Sequence, residues 1–500
     1  MNSVAANARR QQLAADPHRP RYHFTPPANW MNDPNGIIEW EGKYHLFYQH
    51  NPHDAVWDNM HWGHAVSDDL AHWLDLPIAL SPSPGGPDED GCWSGCTVNN
   101  NGVATIFYTG VQGDWAIPRN QRVCMATGAG DLLSWEKYAG NPIIAHPPPG
   151  LNITGFRDPF VWREEQEWYM AIGAGIRDIG GAVLLYKSKD LLGWEYLQPL
   201  CVGDMHDSAP VWTGTVWEVP QFFPLGDKHV LLVTVWDSDP LYSIYFTGSY
   251  HAHRFVPDAV HKLDYGDRHF YAAHTMKDSQ GRRIMWGFSG EARSSDAQRS
   301  AGWSGVMSLP RVLSLHDDGL LAMRPAPEIE SLRRERHQLT DIDMSATSGH
   351  LSLDLRGDAL EIAAEIDPAD AEETGLKVRL SPDSEEETTI FYDAPRKQLG
   401  VDRRRSTLLR DDGYADDVQE GDFELSPGEN LRLRVFVDCS VIEVYANDRA
   451  CIASRVYPVR SDSTGVAVYA RGRARVKSID IWRLSSIWAS SQSSSAPRRG

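Results

Sequence analysis

Asp69-Leu70-Ala71-His72-Trp73 returns as Asp131-Leu132-Leu133-Ser134-Trp135 and again as Asp190-Leu191-Leu192-Gly193-Trp194. The interval is about 60 residues, and a worn fourth copy ends at Phe255. Each copy follows a strand-like run and precedes a short polar stretch. Around them, residues 25–325 read as short runs rich in Val, Ile, Tyr, Phe and Trp, broken by Gly, Asp, Asn and Pro. Long amphipathic helices are absent from this text. A repeating all-β unit of that size predicts propeller blades, each a four-stranded sheet, and five such units fit. A propeller gathers loops from all its blades at one end of a central channel. Residues far apart in sequence can meet there.

Pro325-Ala326-Pro327 ends the pattern. Glu328–Arg336 is charged and predicts one short helix, inside a linker spanning 327–340. From 341 to 484, runs such as Leu360–Ile366, Leu431–Val437 and Val476–Trp482 alternate apolar with polar residues. Strands of that kind face a core on one side and water on the other, which predicts a β-sandwich. The expected class is therefore all-β: a five-bladed β-propeller over 21–326, followed by a C-terminal β-sandwich. Residues 1–20 read as a flexible leader, and the Ser-rich 485–500 as a disordered tail.

A chain of 500 residues is too long for one core. Its formal charge of −20 argues against nucleic acid and against anionic membranes, both of which bind cations. Eighteen Trp lean towards sugar handling, since a ring face stacks on the C–H face of a sugar. Cys92, Cys96, Cys124, Cys201, Cys439 and Cys451 are scattered and read as structural thiols. Neither Cys92-x-x-x-Cys96 nor His61-Trp62-Gly63-His64 has a second close pair to complete a zinc site. No metal and no cofactor is expected. No secretory signal or apolar run of membrane-spanning length is visible, so the expected location is cytoplasmic. Homo-oligomerisation stays open.

Three Pro-flanked acids stand out. Asp33 lies in Trp30-Met31-Asn32-Asp33-Pro34-Asn35-Gly36, which reads as a tight polar turn set in a lined cavity. Asp158 lies in Gly155-Phe156-Arg157-Asp158-Pro159-Phe160, and Glu218 in Val216-Trp217-Glu218-Val219-Pro220-Gln221. Singly, each could be structural: Asp158 could pair with Arg157, and Glu218 could edge a strand. Three of them on separate blades, beside aromatics, suit glycosidic cleavage. That reaction needs one protonated carboxyl for the leaving oxygen and one ionised carboxyl for the oxocarbenium-like centre. Asp33, among Asn residues, is expected to be the better anion. Glu218, between apolar neighbours, is expected to be the better acid.

These motifs resemble the glycoside hydrolases that act on β-fructofuranosides: invertases, sucrose-6-phosphate hydrolases, levanases and inulinases. The marks are Trp30–Gly36, Phe47–Pro52, Trp62–Ala65, Trp93-Ser94-Gly95, Arg157-Asp158-Pro159, Trp217–Pro220, Phe270-Tyr271-Ala272, Gly305–Arg311 and the Val437–Pro458 run. The resemblance covers nearly the whole chain and implies the same propeller and sandwich. It implies retention by double displacement, with Asp33 as nucleophile, Glu218 as general acid/base and Asp158 steadying the transition state beside Arg157. Asn32, Gln49, Trp57, Trp93 and Ser94 match positions that line the fructosyl pocket, although Trp57 and Trp93 could instead pack a core. The chain departs from the family pattern at Val219, where Cys is frequent, and at Cys96, where Ser is common. Arg268-His269 stand where an acid often precedes Phe270.

The implied reaction removes terminal β-D-fructofuranosyl units from sucrose or fructans. The alternative is a fructosyltransferase using the same site. A non-catalytic sugar binder would lack one of the three acids. An inverting arabinan-type enzyme would not carry them in this Asn-Asp-Pro-Asn and Glu-Val-Pro wording. Which fructoside is cleaved stays open between sucrose, sucrose 6-phosphate, fructo-oligosaccharide, inulin and levan. For a phosphate, Arg119, Arg122 and Arg268 are the candidate cations.

Overall fold

The computed structural model describes residues 3–344, 349–409 and 417–488. Residues 29–325 form five sheets of four or five strands, and residues 333–484 form two sheets of six. In each of the first five sheets the earliest strand is innermost. These strands are Asn29–Trp40, Gly91–Asn100, Ile153–Glu164, Val216–Leu225 and Tyr271–Lys277. Each packs against the next, and the last packs against the first, so the sheets close into a ring. The ring is tied by Trp303-Ser304, which pairs in parallel with Asn29-Trp30. Apolar layers fill the gaps between sheets. Phe107, Met170, Ile172 and Leu184 form one such layer, and Trp217, Leu231, Val233 and Phe246 another.

The sequence repeat is the turn between the third and fourth strands of three consecutive sheets. Its physical content is local. Asp69 Oδ1 accepts from the backbone N–H of Ala71 and His72, Asp131 Oδ1 from Leu133, and Asp190 Oδ1 from Leu192 and Gly193. The following Leu70, Leu132 and Leu191 take φ of 61°, 55° and 69° and are buried. A short polar side chain that bonds its own turn is what lets a bulky residue hold that conformation. The worn copy falls on the equivalent turn of the fourth sheet, at Ala252-His253.

All five inner strands are bulged. Asn32 and Asp33 stand opposite Gln49, with paired residues on either side. Similar irregularities fall between Trp93 and Gly95, Arg157 and Phe160, Glu218 and Gln221, and Tyr271 and His274. An extra residue in one strand re-aims the side chains around it. The expected tight turn at Asp33 is thus corrected: the residue sits within a continuous bulged strand, paired on both sides of Asn32-Asp33.

The last two sheets share one apolar core, in which Ile362, Val435, Val444 and Ile481 of one face Leu376, Ile390, Leu399 and Val468 of the other. This β-sandwich is locked to the ring by buried charge. Arg311 donates to Asp264 at 2.7 Å and to Glu443 at 3.1 Å, and His23 bonds Asp438 at 2.9 Å and Glu443 at 3.2 Å.

Three boundary expectations are corrected. Of the flexible leader 1–20, Ser3–Leu13 is a helix. Its Arg10 is buried, donating to Asp75 at 2.9 Å and stacking on Trp488. A guanidinium anchors this segment where no apolar run could. The linker 327–340 and its short helix are instead a 3₁₀ turn, Pro327–Leu332, and an edge strand of the sandwich, Arg333–Met344. Its charges pair across the sheet, Arg336 with Asp480 and Glu335 with Arg483. Of the expected disordered tail, 485–488 is ordered, with Ile487 buried, while 489–500 lie outside the described residues. Among the described residues no helix is long and apolar enough to cross a membrane.

Candidate active site

The inner-strand bulges converge on one cavity of about 560 Å³. Asp33, Asp158 and Glu218 all line it, as do Asn32, Gln49, Trp57, Trp93, Ser94 and Arg157. These nine candidates therefore meet at one place, although four different sheets supply them, while Arg119 and Arg122 do not line it.

Asp33 is gripped from two sides. Ser94 Oγ donates to its Oδ2 at 2.6 Å and Asn32 Nδ2 to its Oδ1 at 2.9 Å. Asn32 is itself fixed by the Trp30 indole N–H at 2.8 Å. The Asn35 amide, oriented to satisfy both its ends, accepts from Gln49 Nε2 and donates to Ser94 Oγ. Burial pushes the Asp33 carboxyl up to about 6; Ser94 and Asn32 oppose the shift, and the charge of Glu218 adds to it. The polar neighbours expected around Asp33 are present, yet seclusion from water outweighs them in setting its pKa.

Arg157 does not pair with the adjacent Asp158. Its Nε and Nη2 both reach Glu218 Oε1 at 2.9 Å. Tyr271 donates its hydroxyl to Glu218 Oε2 at 2.6 Å. Trp217, beside Glu218 in sequence, is fully buried away from the cavity, and its indole donates to the Thr213 carbonyl. The carboxylate thus meets donors, and the apolar surroundings expected from its sequence neighbours are corrected.

Asp158 is buried with φ of 63°. Its backbone N–H donates to Thr109 Oγ1 at 2.7 Å, and its Oδ2 accepts from the Val219 N–H at 3.1 Å. Burial and the nearby Glu218 raise its pKa, against the pull of Arg157. A Cys or a Val at 219 offers the same backbone donor, so that departure leaves the contact intact. Cys96 is buried with its sulfur accepting from the Val161 N–H.

Trp57 and Trp93 do not pack a core. They meet edge to face at 5.8 Å on the cavity wall, and Trp57 is 44 % exposed. Trp115 joins them at 6.1 Å from Trp93, and Trp236, Asp239 and Arg268 complete the outer wall. Sequence reasoning missed Trp115, in a connecting loop, and Trp236 and Asp239, at the facing ends of the strands Lys228–Asp237 and Asp239–His251, none of which carries a motif. Tyr271 stood inside a quoted motif without a role. Arg268 reaches the cavity, whereas Arg122 is turned to Gln112. His269 is buried between the Gly290 carbonyl and Arg403 of the sandwich. Among the described residues, no group of three or more His, Cys, Asp or Glu could hold a metal ion.

Burial and the nearby charge of Glu218 disfavour the ionised forms of Asp33 and Asp158, so a protonated and an ionised carboxyl can coexist in this cavity. Donors on both Glu218 oxygens would stabilise the carboxylate left after it gives up a proton.

Known proteins resemble this chain along both of its halves. Residues 23–325 match the N-terminal domain of glycosyl hydrolases family 32, and residues 328–483 match its C-terminal domain. The chain is 35% identical to a sucrose-6-phosphate hydrolase of Escherichia coli, covering 93% of this chain and 94% of that one. It is 34% identical to a levanase of Bacillus subtilis, over 97% of this chain and 73% of that one. A crystal structure of fructan 1-exohydrolase IIa from Cichorium intybus in complex with 1-kestose superposes with a TM-score of 0.84 at 26% identity, covering 94% and 98% of the two chains. With both halves matched in order, the chain belongs to glycosyl hydrolases family 32.

Proposed function

We propose that this chain is a retaining β-fructofuranosidase, a five-bladed propeller with a C-terminal sandwich, that releases terminal β-D-fructofuranosyl units from sucrose or fructans by double displacement. The observation that carries the reading is the convergence of Asp33, Asp158 and Glu218 on one cavity with side-chain donors already aimed at two of them.

Asp33 attacks the anomeric carbon of the fructosyl unit as a carboxylate, steered by Ser94 and Asn32. Glu218 delivers its proton to the glycosidic oxygen, and the carboxylate it becomes is received by Arg157 and Tyr271. A water then gives its proton to Glu218 and displaces Asp33, so two inversions return the original configuration. Asp158, held by two backbone contacts, meets fructosyl hydroxyls while positive charge builds on the ring. Asn32, Gln49, Trp57, Trp93, Ser94 and Arg157 shape the fructosyl pocket. For such a pathway the Asp33 and Glu218 carboxyls need to stand roughly 5–5.5 Å apart.

The test is proton NMR of the first fructose released from sucrose. Retention gives β-fructofuranose before mutarotation. An initial α product, or no hydrolysis of any fructoside, overturns the proposal. Oligosaccharide products from concentrated sucrose would instead identify a fructosyltransferase.

A further inference from the structure

The loop between the strands Val103–Val111 and Gln121–Gly128 carries Trp115 onto the rim of the cavity. Trp115 is 45 % exposed and packs against Trp57 and Trp93 at 6.5 and 6.1 Å. Its backbone is tied inward by one buried side chain: Gln121 Nε2 donates to the Trp115 carbonyl at 2.7 Å. The same amide faces the chemistry with its other end. Gln121 Oε1 accepts from the Phe156 N–H at 2.8 Å and from Arg157 Nη1 at 3.4 Å. Arg157 spends its remaining nitrogens on Glu218.

We propose that Gln121 is a positioning residue that couples a leaving sugar stacked on Trp115 to the setting of Arg157 against Glu218. The proposal rests on Glu218 being the proton donor. Gln121 is 1 % exposed, so it touches no substrate, and three bonds fix both ends of its amide. The guanidinium has little freedom of its own. A Cβ at Gly155 would lie 2.8 Å from Arg157 Nη1, so that side is already filled by backbone. Gln121 bounds the same nitrogen with a bond. A shift of the Trp115 loop therefore reaches Arg157 through one rigid amide. On the opposite side of the cluster, Trp93 precedes Ser94, which donates to Asp33. The ligand class follows from the wall. Trp115 and Trp236 offer flat apolar faces, and Asp239 and Arg268 offer one acceptor and one donor. That combination suits a neutral glycosyl leaving group, whose C–H faces stack while its hydroxyls bond.

The experiment compares the wild type, Trp115→Ala, Gln121→Met and the double variant on sucrose and on methyl β-D-fructofuranoside, whose leaving group cannot reach Trp115. Trp115→Ala is expected to raise KM and lower kcat for sucrose, each roughly fivefold or more, and to cost the methyl fructoside much less. Gln121→Met is expected to lower kcat on both substrates by roughly tenfold, and on sucrose the two losses should not multiply. Losses that multiply, or a Trp115→Ala effect on KM alone, overturn the coupling. Should Gln121→Met fail to fold, the split between kcat and KM in Trp115→Ala decides by itself. A wild type inactive on both of these and also on sucrose 6-phosphate, fructo-oligosaccharide, inulin and levan would instead refute the proposed function, an outcome read before any variant is made.

Discussion

Arg157 bypasses Asp158, its neighbour in the chain, and binds Glu218 on the next sheet through two nitrogens at 2.9 Å. This matters because a planar fork orients a carboxylate as well as attracting it. Arg157→Lys keeps the charge and loses the fork. It should lower kcat on sucrose by about 10²-fold, the lower end of what a placed acid supplies. An aryl β-fructofuranoside, whose leaving group departs without a proton, should lose much less. Steady-state rates on the two substrates check this; equal losses would mean that Arg157 acts on something other than proton delivery.

The pH profile should report Asp33. With its pKa at about 6, the carboxylate proposed to attack is lost as pH falls through 6, so kcat/KM should drop on that acid limb. Ser94 bonds the charged form, so Ser94→Ala should raise the Asp33 pKa and move the limb to higher pH. A hydrogen bond to a charged group is worth ~1.5–3 kcal/mol, which corresponds to roughly one to two pH units. An acid limb that stays in place in Ser94→Ala would show that another group controls it.

The chain's text disclosed the parts of the fold that are local. The Asp-Leu-x-x-Trp turns announce themselves because one side chain makes the turn by bonding its own backbone, and their even spacing then implies a ring of sheets. The three acids were legible through their Pro-flanked motifs. The bulges were not, because a bulge exists only relative to the partner strand. Without them Asp33 reads as a turn residue, and Arg157 reads as the partner of Asp158. The N-terminal helix escaped notice for a related reason: its anchor is Arg10 buried against Asp75 and Trp488, far away in sequence.

That anchor can be tested. Arg10 and Asp75 are each only 6 % exposed, so Arg10→Met leaves a buried carboxylate without its guanidinium. Losing one partner of such a pair costs ~3–5 kcal/mol. Arg10→Met should therefore lower the thermal midpoint clearly, and adding Asp75→Leu should recover part of it. An unchanged midpoint in Arg10→Met would mean that the helix is not held as described.

The sandwich should hold the ring through a charge clamp with a definite pH window. His23 is fully buried between Asp438 and Glu443. Burial pulls its pKa down, but the bonds to the two carboxylates outweigh it and lift the pKa to about 9. A folded pKa above the ordinary 6.5 stabilises the native state fully below 6.5, and that contribution is lost as pH rises through 9. Glu443 runs the other way. Burial pushes it up, yet Arg311 and His23 hold it at about 2, so its contribution is lost as pH falls from 4.5 through 2. His23→Gln should therefore lower the thermal midpoint near neutral pH and flatten its fall between pH 6.5 and 9. Because the acids left behind are buried, its cost at pH 6 should be ~3–5 kcal/mol. Differential scanning calorimetry across that range would check both features. A His23→Gln protein whose midpoint keeps the wild-type slope above pH 6.5 would show that His23 is neutral in the native state, with Arg311 as the one cation on Glu443 and backbone N–H groups holding Asp438.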